Sequence, residues 1–201
     1  PTVIIGTNLR EFGGKNFRLG GHPSTSSGNS SLSPERAQRV EGLQYLVLEA
    51  DEFGRSFLNY FPTLVVVTNI DLEHLDTYKN LDDVKKTFLK FIANTQNGGV
   101  LVLNRDSKDL YSLKNRIQQI AKEKKLKTYW YSVSKNSNAF VVLRRVIKIP
   151  GKHNLSNALA AYTVGRTFKI PEKKILSAIG SYRGSWRRME YKGEFRIKNR
   201  E

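Results

Sequence analysis

Leu64-Val65-Val66-Val67-Thr68-Asn69 is a run of four apolar residues, three of them β-branched, that stops on a polar pair. Continuous rather than alternating apolar character marks a strand covered on both faces of a parallel sheet. Val100-Leu101-Val102-Leu103-Asn104 repeats the form, and Tyr45-Leu46-Val47-Leu48-Glu49 reads as a third buried strand. Thr128–Val133 is a fourth candidate. Phe140–Ile149 is longer and more charged, and reads as an edge or antiparallel strand.

Helical spacing fills the gaps between these runs. Leu81, Val84, Phe88, Phe91 and Ile92 fall on one helical face, with Asp82 and Asp83 suited to a first turn. Leu110, Leu113, Ile117 and Ile120 repeat the pattern, with lysines at the C-terminal end. A third helix is predicted from about Asn154, burying Leu155, Leu159, Tyr162 and Val164, and a fourth from Pro171 to about Ile179. Strands alternating with helices predict an α/β fold, a mostly parallel sheet with flanking helices and a smaller antiparallel portion.

The 201 residues suit one domain or one and a small piece, and 39% apolar with 26% charged residues is a globular composition. No apolar run approaches the ~20 residues of a membrane helix, and no signal pattern opens the chain. The absence of cysteine excludes disulfides and thiolate metal sites, with a cytoplasmic location as the expectation. The net charge of +16 is uneven, because eight acidic residues lie between Glu49 and Asp83 while the part from Arg144 onward is strongly basic. That polarity suits a polyphosphate held with a metal or a nucleic acid, and composition does not separate the two. Ser24–Ser33 holds six serines, a loop composition.

Chemistry-bearing residues cluster where strands end. One strand runs into Glu49-Ala50-Asp51-Glu52 and another into Asn69-Ile70-Asp71-Leu72-Glu73-His74. Ligands of open α/β sheets bind outside the carboxyl ends of strands. A carboxylate such as Glu49 and the imidazole of His74 could there share a divalent cation with phosphate and water. Acidic strand-to-helix turns also arise simply as helix caps. Gly151-Lys152-His153-Asn154 leads a helix on which Asn157 shares the face of Asn154. An amide there can read a purine edge, or can merely cap the helix. Arg187 and Arg188 follow Gly184-Ser185-Trp186, and the guanidinium fork suits phosphate as well as a solvated face.

Taken in order, E-A-D-E from Glu49, T-N-I-x-x-x-H-L-D-T-Y from Thr68, G-K-H-N-x-x-N-A-x-A-A from Gly151 and G-x-x-R-R-x-E from Gly184 resemble the central ATP-binding domain of the Mur ligases. The similarity is greatest to members that attach L-alanine to UDP-N-acetylmuramate in peptidoglycan synthesis. It runs from Pro1 to Phe195, which assigns 1–195 to that domain, with a Ser-rich insertion near 22–42 and a linker over 196–201. The resemblance implies a P-loop NTPase-like fold and an ATP-dependent ligase working through an acyl phosphate. It also implies ATP and Mg²⁺ as cofactors, UDP-N-acetylmuramate and L-alanine as partners, and neither nucleic acid nor membrane. Carried over by position, Glu49 and His74 become magnesium ligands and Arg188 a phosphate contact. Asn154, Asn157 and His153 lie near the adenine, and Asn16 and Arg18 near the sugar. Asp51 and Glu52 become supporting groups, and Thr87 stands where some relatives carry a carbamylated lysine, so no carbamate is expected.

The sequence also departs from the family. Neither Gly13-Gly14-Lys15 nor Gly151-Lys152-His153 has the glycine spacing of a G-x-x-G-K-T phosphate loop. The expectation is therefore a central domain without its first strand, phosphate loop and helix, and without the N- and C-terminal domains, inactive by itself. Two competing readings are another ligase of the superfamily, adding glutamate or recycling tripeptide, and a basic nucleic-acid-binding module using Tyr129, Trp130 and Tyr131. No RNA- or DNA-binding signature accompanies those aromatics.

Overall fold

The computed structural model describes residues 2–9, 15–18, 45–135 and 137–184. The Ser-rich segment, Arg188 and the stretch 196–201 lie outside the described residues. The chain forms two compact units, Pro1–Ala50 with Gly184–Glu201, and Asp51–Arg183.

In the first unit β1 (Thr2–Leu9) is the middle strand of three. It pairs antiparallel with β2 (Lys15–Arg18) and parallel with β3 (Leu46–Leu48), Thr2 facing Leu46 and Ile4 facing Leu48. The β1–β2 register shifts between Ile4 and Leu9, as a bulge requires. The third predicted strand is thus present but not buried, since Leu46 is 60% and Val47 53% exposed. An apolar run marks the strand; cover on its faces has to come from elsewhere in the fold.

The second unit holds a parallel sheet in the order β4 (Leu64–Val67), β5 (Val100–Asn104), β6 (Lys127–Tyr131). Leu64 faces Val100, and Val100 faces Lys127, so the strands run in step. Alternation sends Val102 to one face of β5 and Leu101 and Leu103 to the other, and all three are fully buried. This central strand is covered on both sides, as its continuous apolar run predicts.

Helix α1 (Leu81–Ala93) starts where Asn80 accepts from the Asp83 N–H, and Asp82 and Asp83 complement the helix dipole in its first turn. Val84, Phe91 and Ile92 are buried, and Phe91 stacks on Phe57 of the 3-10 turn Phe53–Asn59. The second predicted helix is two, α2 (Lys108–Ser112) and α3 (Lys114–Glu123), broken at Leu113. Helices α5 (Lys152–Thr167) and α6 (Glu172–Ser181) match the two further predicted helices. Leu159 and Ala160 of α5 join Val102, Tyr131 and Val133 in the core, with Leu155, Tyr162 and Val164 packed partly buried against it.

Phe140–Ile149 is not a strand. Residues Asn138–Val146 form helix α4, which the Ser137 side chain caps by accepting from the Phe140 N–H at 3.2 Å. Arg144 and Arg145 fall in its last turn, where cations suit the dipole. Leu143, fully buried, plugs the same core. The cap and this packing outweigh the weak strand preference of Val141 and Val142.

Candidate functional site

Asp51 to Phe57 and His74 to Asp83 meet in the second unit, and nearly every group at the junction is paired. The Glu52 carboxylate lies 3.3 Å from His74 Nε2. Phe53 packs edge-on against the imidazole, ring centroids 5.4 Å apart. The Tyr78 hydroxyl donates to the Glu52 carbonyl at 2.7 Å, and the Gly54 N–H donates to Thr77 Oγ1 at 3.3 Å. Arg55 bridges to Asp83 at 2.8 Å while its guanidinium sits 5.3 Å over the Tyr78 ring. Burial raises the Tyr78 phenol above its ordinary value, keeping it a hydrogen-bond donor.

His74 has a φ of +54°, a left-handed backbone uncommon for a residue with a Cβ. The turn is held because its carbonyl accepts from the Thr77 N–H at 2.8 Å and the Tyr78 N–H at 3.0 Å. Glu73 completes a group with Glu52 and His74 in which one ligand atom from each lies within 4.8 Å of the others. Two carboxylates and an imidazole, with Glu52 and His74 half-buried and Glu73 exposed, are a donor set that fits a divalent cation with room for water or phosphate. Of the sequence-predicted pair, His74 stands in this group, whereas Glu49 follows β3 in the other unit. Within the second unit the carboxylate beside His74 is that of Glu52, which sequence reasoning made a supporting group. Only its position one residue after Asp51, in an acidic strand exit, hinted at it.

A second feature gathers at the start of α5. An open cavity of about 460 Å³ is lined by Val133, Phe140, Ile149 and Leu155, with Arg144 and Lys152 at its cationic side. Gly151 opens the helix at a φ of +106°, and a Cβ there would come within 2.7 Å of the His153 ring. The positive φ favours glycine at this position, while the exposed His153 ring could turn aside from a Cβ. Asn154 turns its amide nitrogen back to the Pro150 carbonyl at 2.6 Å, a local brace that leaves the amide oxygen as the free acceptor. Asn157 and His153 are exposed on the same first turns. Asn16 and Arg18 lie on β2, where Arg18 pairs with Val3. Thr87 is buried in α1, its hydroxyl donating to the Asp83 carbonyl at 2.8 Å.

Sequence reading missed the carboxylate that ties the exit of β5 to the exit of β6. The Asp106 carboxylate accepts from Ser132 Oγ at 2.6 Å, the Val133 N–H at 2.7 Å and the Ser134 N–H at 3.3 Å. Asn104 at the end of β5 donates to the Thr68 carbonyl at 2.9 Å, tying β5 to the exit of β4. The aromatics Tyr129, Trp130 and Tyr131 alternate along β6. Tyr131 is buried and Trp130 packs edge-on against Tyr111, a sheet-packing arrangement.

Comparison with known proteins places this geometry in context. Residues 5–165 match the Mur ligase middle domain. A UDP-N-acetylmuramate–L-alanine ligase of Caldicellulosiruptor bescii is 34% identical over 97% of this chain and 41% of its own length. One of the same name from Desulforapulum autotrophicum is 36% identical over 96% of this chain and 41% of its own. The chain thus spans about two fifths of the length of the curated relatives it matches. Among solved structures, the UDP-N-acetylmuramate:L-alanyl-γ-D-glutamyl-meso-diaminopimelate ligase of Neisseria meningitides superimposes with a TM-score of 0.62 at 19% identity. The overlap covers 92% of this chain and 58% of that one, and it speaks for the fold.

Proposed function

The chain belongs to the Mur ligase family through its middle domain, and from that premise we propose that it is the ATP-binding part of a ligase joining L-alanine to UDP-N-acetylmuramate. The observation that carries the proposal beyond the family is the convergence of Glu52, Glu73 and His74 in the segments that follow β3 and β4. That convergence supports a cation in the part of the sequence where the family motifs lie.

In the proposed reaction a carboxylate oxygen of the sugar's lactyl group attacks the γ-phosphorus of ATP. The bond to the β–γ bridging oxygen breaks and ADP leaves. The alanine amine then attacks the acyl carbon, loses a proton and expels inorganic phosphate, leaving the amide. Magnesium, when bound, supplies neutralisation of the charge spread over the transferred phosphoryl group. His74 and Glu49 are the proposed ligands, with Glu52 and Glu73 beside His74. Asn154, Asn157 and His153 are assigned to the base and Arg188 to the phosphates, while Asn16 and Arg18 are assigned to the sugar. The apolar, cation-edged cavity next to Gly151 supports a nucleotide at this end of the domain. A cytoplasmic setting, where ATP and the nucleotide sugar are found, is part of the same reading.

The test is the complete gene product incubated with ATP, UDP-N-acetylmuramate and L-alanine. ADP formation should require both other substrates, and mass spectrometry should show the alanyl sugar nucleotide. Turnover with glutamate or with the L-alanyl-γ-D-glutamyl-diaminopimelate tripeptide, and none with L-alanine, would replace the acceptor. No ADP with any acceptor would refute the ligase reading.

A further inference from the structure

Two segments meet at the candidate cation site, and one side chain holds both. Tyr78 is 2% exposed. Its N–H donates to the His74 carbonyl at 3.0 Å, and its hydroxyl, at the far end of the ring, donates to the Glu52 carbonyl at 2.7 Å. The two residues so held face each other, Glu52 Oε1 standing 3.3 Å from His74 Nε2. A phenylalanine would fill the same volume with no polar atom to satisfy. Burying a hydroxyl without a hydrogen-bond partner costs free energy, and this one has a partner. Here the partner is the main chain of the residue whose carboxylate stands at the imidazole.

Other contacts join the same two segments beside it. Arg55 lies over the Tyr78 ring and is anchored by Asp83, which helps fix where the ring lies. The link from the Gly54 N–H to Thr77 Oγ1 runs parallel to it at 3.3 Å, a longer and weaker contact. His74 itself sits in a left-handed backbone, in a turn whose carbonyl accepts from the main-chain N–H groups of Thr77 and Tyr78.

We infer that Tyr78 is a positioning residue: its hydroxyl sets the separation of the Glu52 and His74 segments, and so aims the His74 imidazole at the cation of the proposed reaction. The part concerning the cation rests on the ligase reading above; the part concerning the geometry of His74 does not. Outer partners that orient a ligating imidazole are worth about 10–100-fold in metal affinity, which sets the expected size of the effect.

The experiment uses the 201-residue chain, isotope-labelled, with Tyr78→Phe and Glu52→Gln beside the parent. Two NMR readouts are taken: the nuclear Overhauser contact between the His74 and Phe53 rings, and selective broadening of His74 ring protons by Mn²⁺. Tyr78→Phe should keep the methyl shifts of Leu143 and Val102, lose the ring contact, and need about ten-fold more Mn²⁺ for equal broadening. Glu52→Gln retains the carbonyl that accepts from Tyr78, so it should keep the ring contact. An unchanged ring contact in Tyr78→Phe would overturn the inference, as would its loss in Glu52→Gln alone, which would credit the carboxylate. Loss of the ring contact in Tyr78→Phe, with no Mn²⁺ broadening even in the parent chain, would uphold the positioning role and refute the cation reading of His74.

Discussion

Replacing Asp106 by alanine tests the account of how the β6 exit is held. Three donors converge on this carboxylate, and two of them are short, Ser132 Oγ at 2.6 Å and the Val133 N–H at 2.7 Å. Hydrogen bonds to a charged acceptor are worth about 1.5–3 kcal/mol each, so losing the two short ones should cost about 3 kcal/mol or more. Ser132 and Val133 are only 8% and 7% exposed, so water replaces the lost acceptor poorly. The effect has a pH signature. Burial pushes the Asp106 carboxyl up, but the donors from Ser132, Val133 and Ser134 together outweigh it and hold it below its ordinary value. A carboxylate with a lowered folded-state pKa contributes stability that is fully present above its unfolded value of about 3.9. That contribution is lost as pH falls through the folded pKa. Urea unfolding followed by Trp130 fluorescence, on a Trp186→Phe background, should therefore show a deficit of about 3 kcal/mol at pH 7 that shrinks toward pH 3. A deficit below about 0.5 kcal/mol at pH 7 is within the range of ordinary surface changes and would refute the reasoning. So would a deficit that is the same at pH 7 and pH 3.

Leu143→Ala should cost about 2–5 kcal/mol by urea unfolding, because the side chain is fully buried against Val102, Leu159 and Ala160; a change under 1 kcal/mol would mean the α4 packing is wrong. In the complete gene product, Glu49→Gln and His74→Ala should each lower kcat by about 10²-fold or more with little change in melting temperature. The double variant should be little worse than either alone. Simple multiplication of the two effects would separate the residues into independent roles.

Much of this was legible one residue at a time. The runs Leu64–Val67 and Val100–Leu103 name their own strands, but only β5 is covered on both faces as such a run predicts, since Val66 of β4 is 40% exposed. Asn80 with Asp82 and Asp83 marks the start of α1, because capping acts within one turn of chain. The ordered motifs carry the family, because they need only residue type and spacing. Tertiary structure decided what depends on neighbours from elsewhere in the chain. Residues 138–146 became a helix because Leu143 had a core to fill, although Val141 and Val142 lean toward a strand. Glu52 came to His74 because Tyr78 bonds a carbonyl 26 residues upstream. Propensity and capping act over a turn of chain or less, whereas the approach of two side chains depends on how whole elements pack, and no short stretch of sequence contains that information.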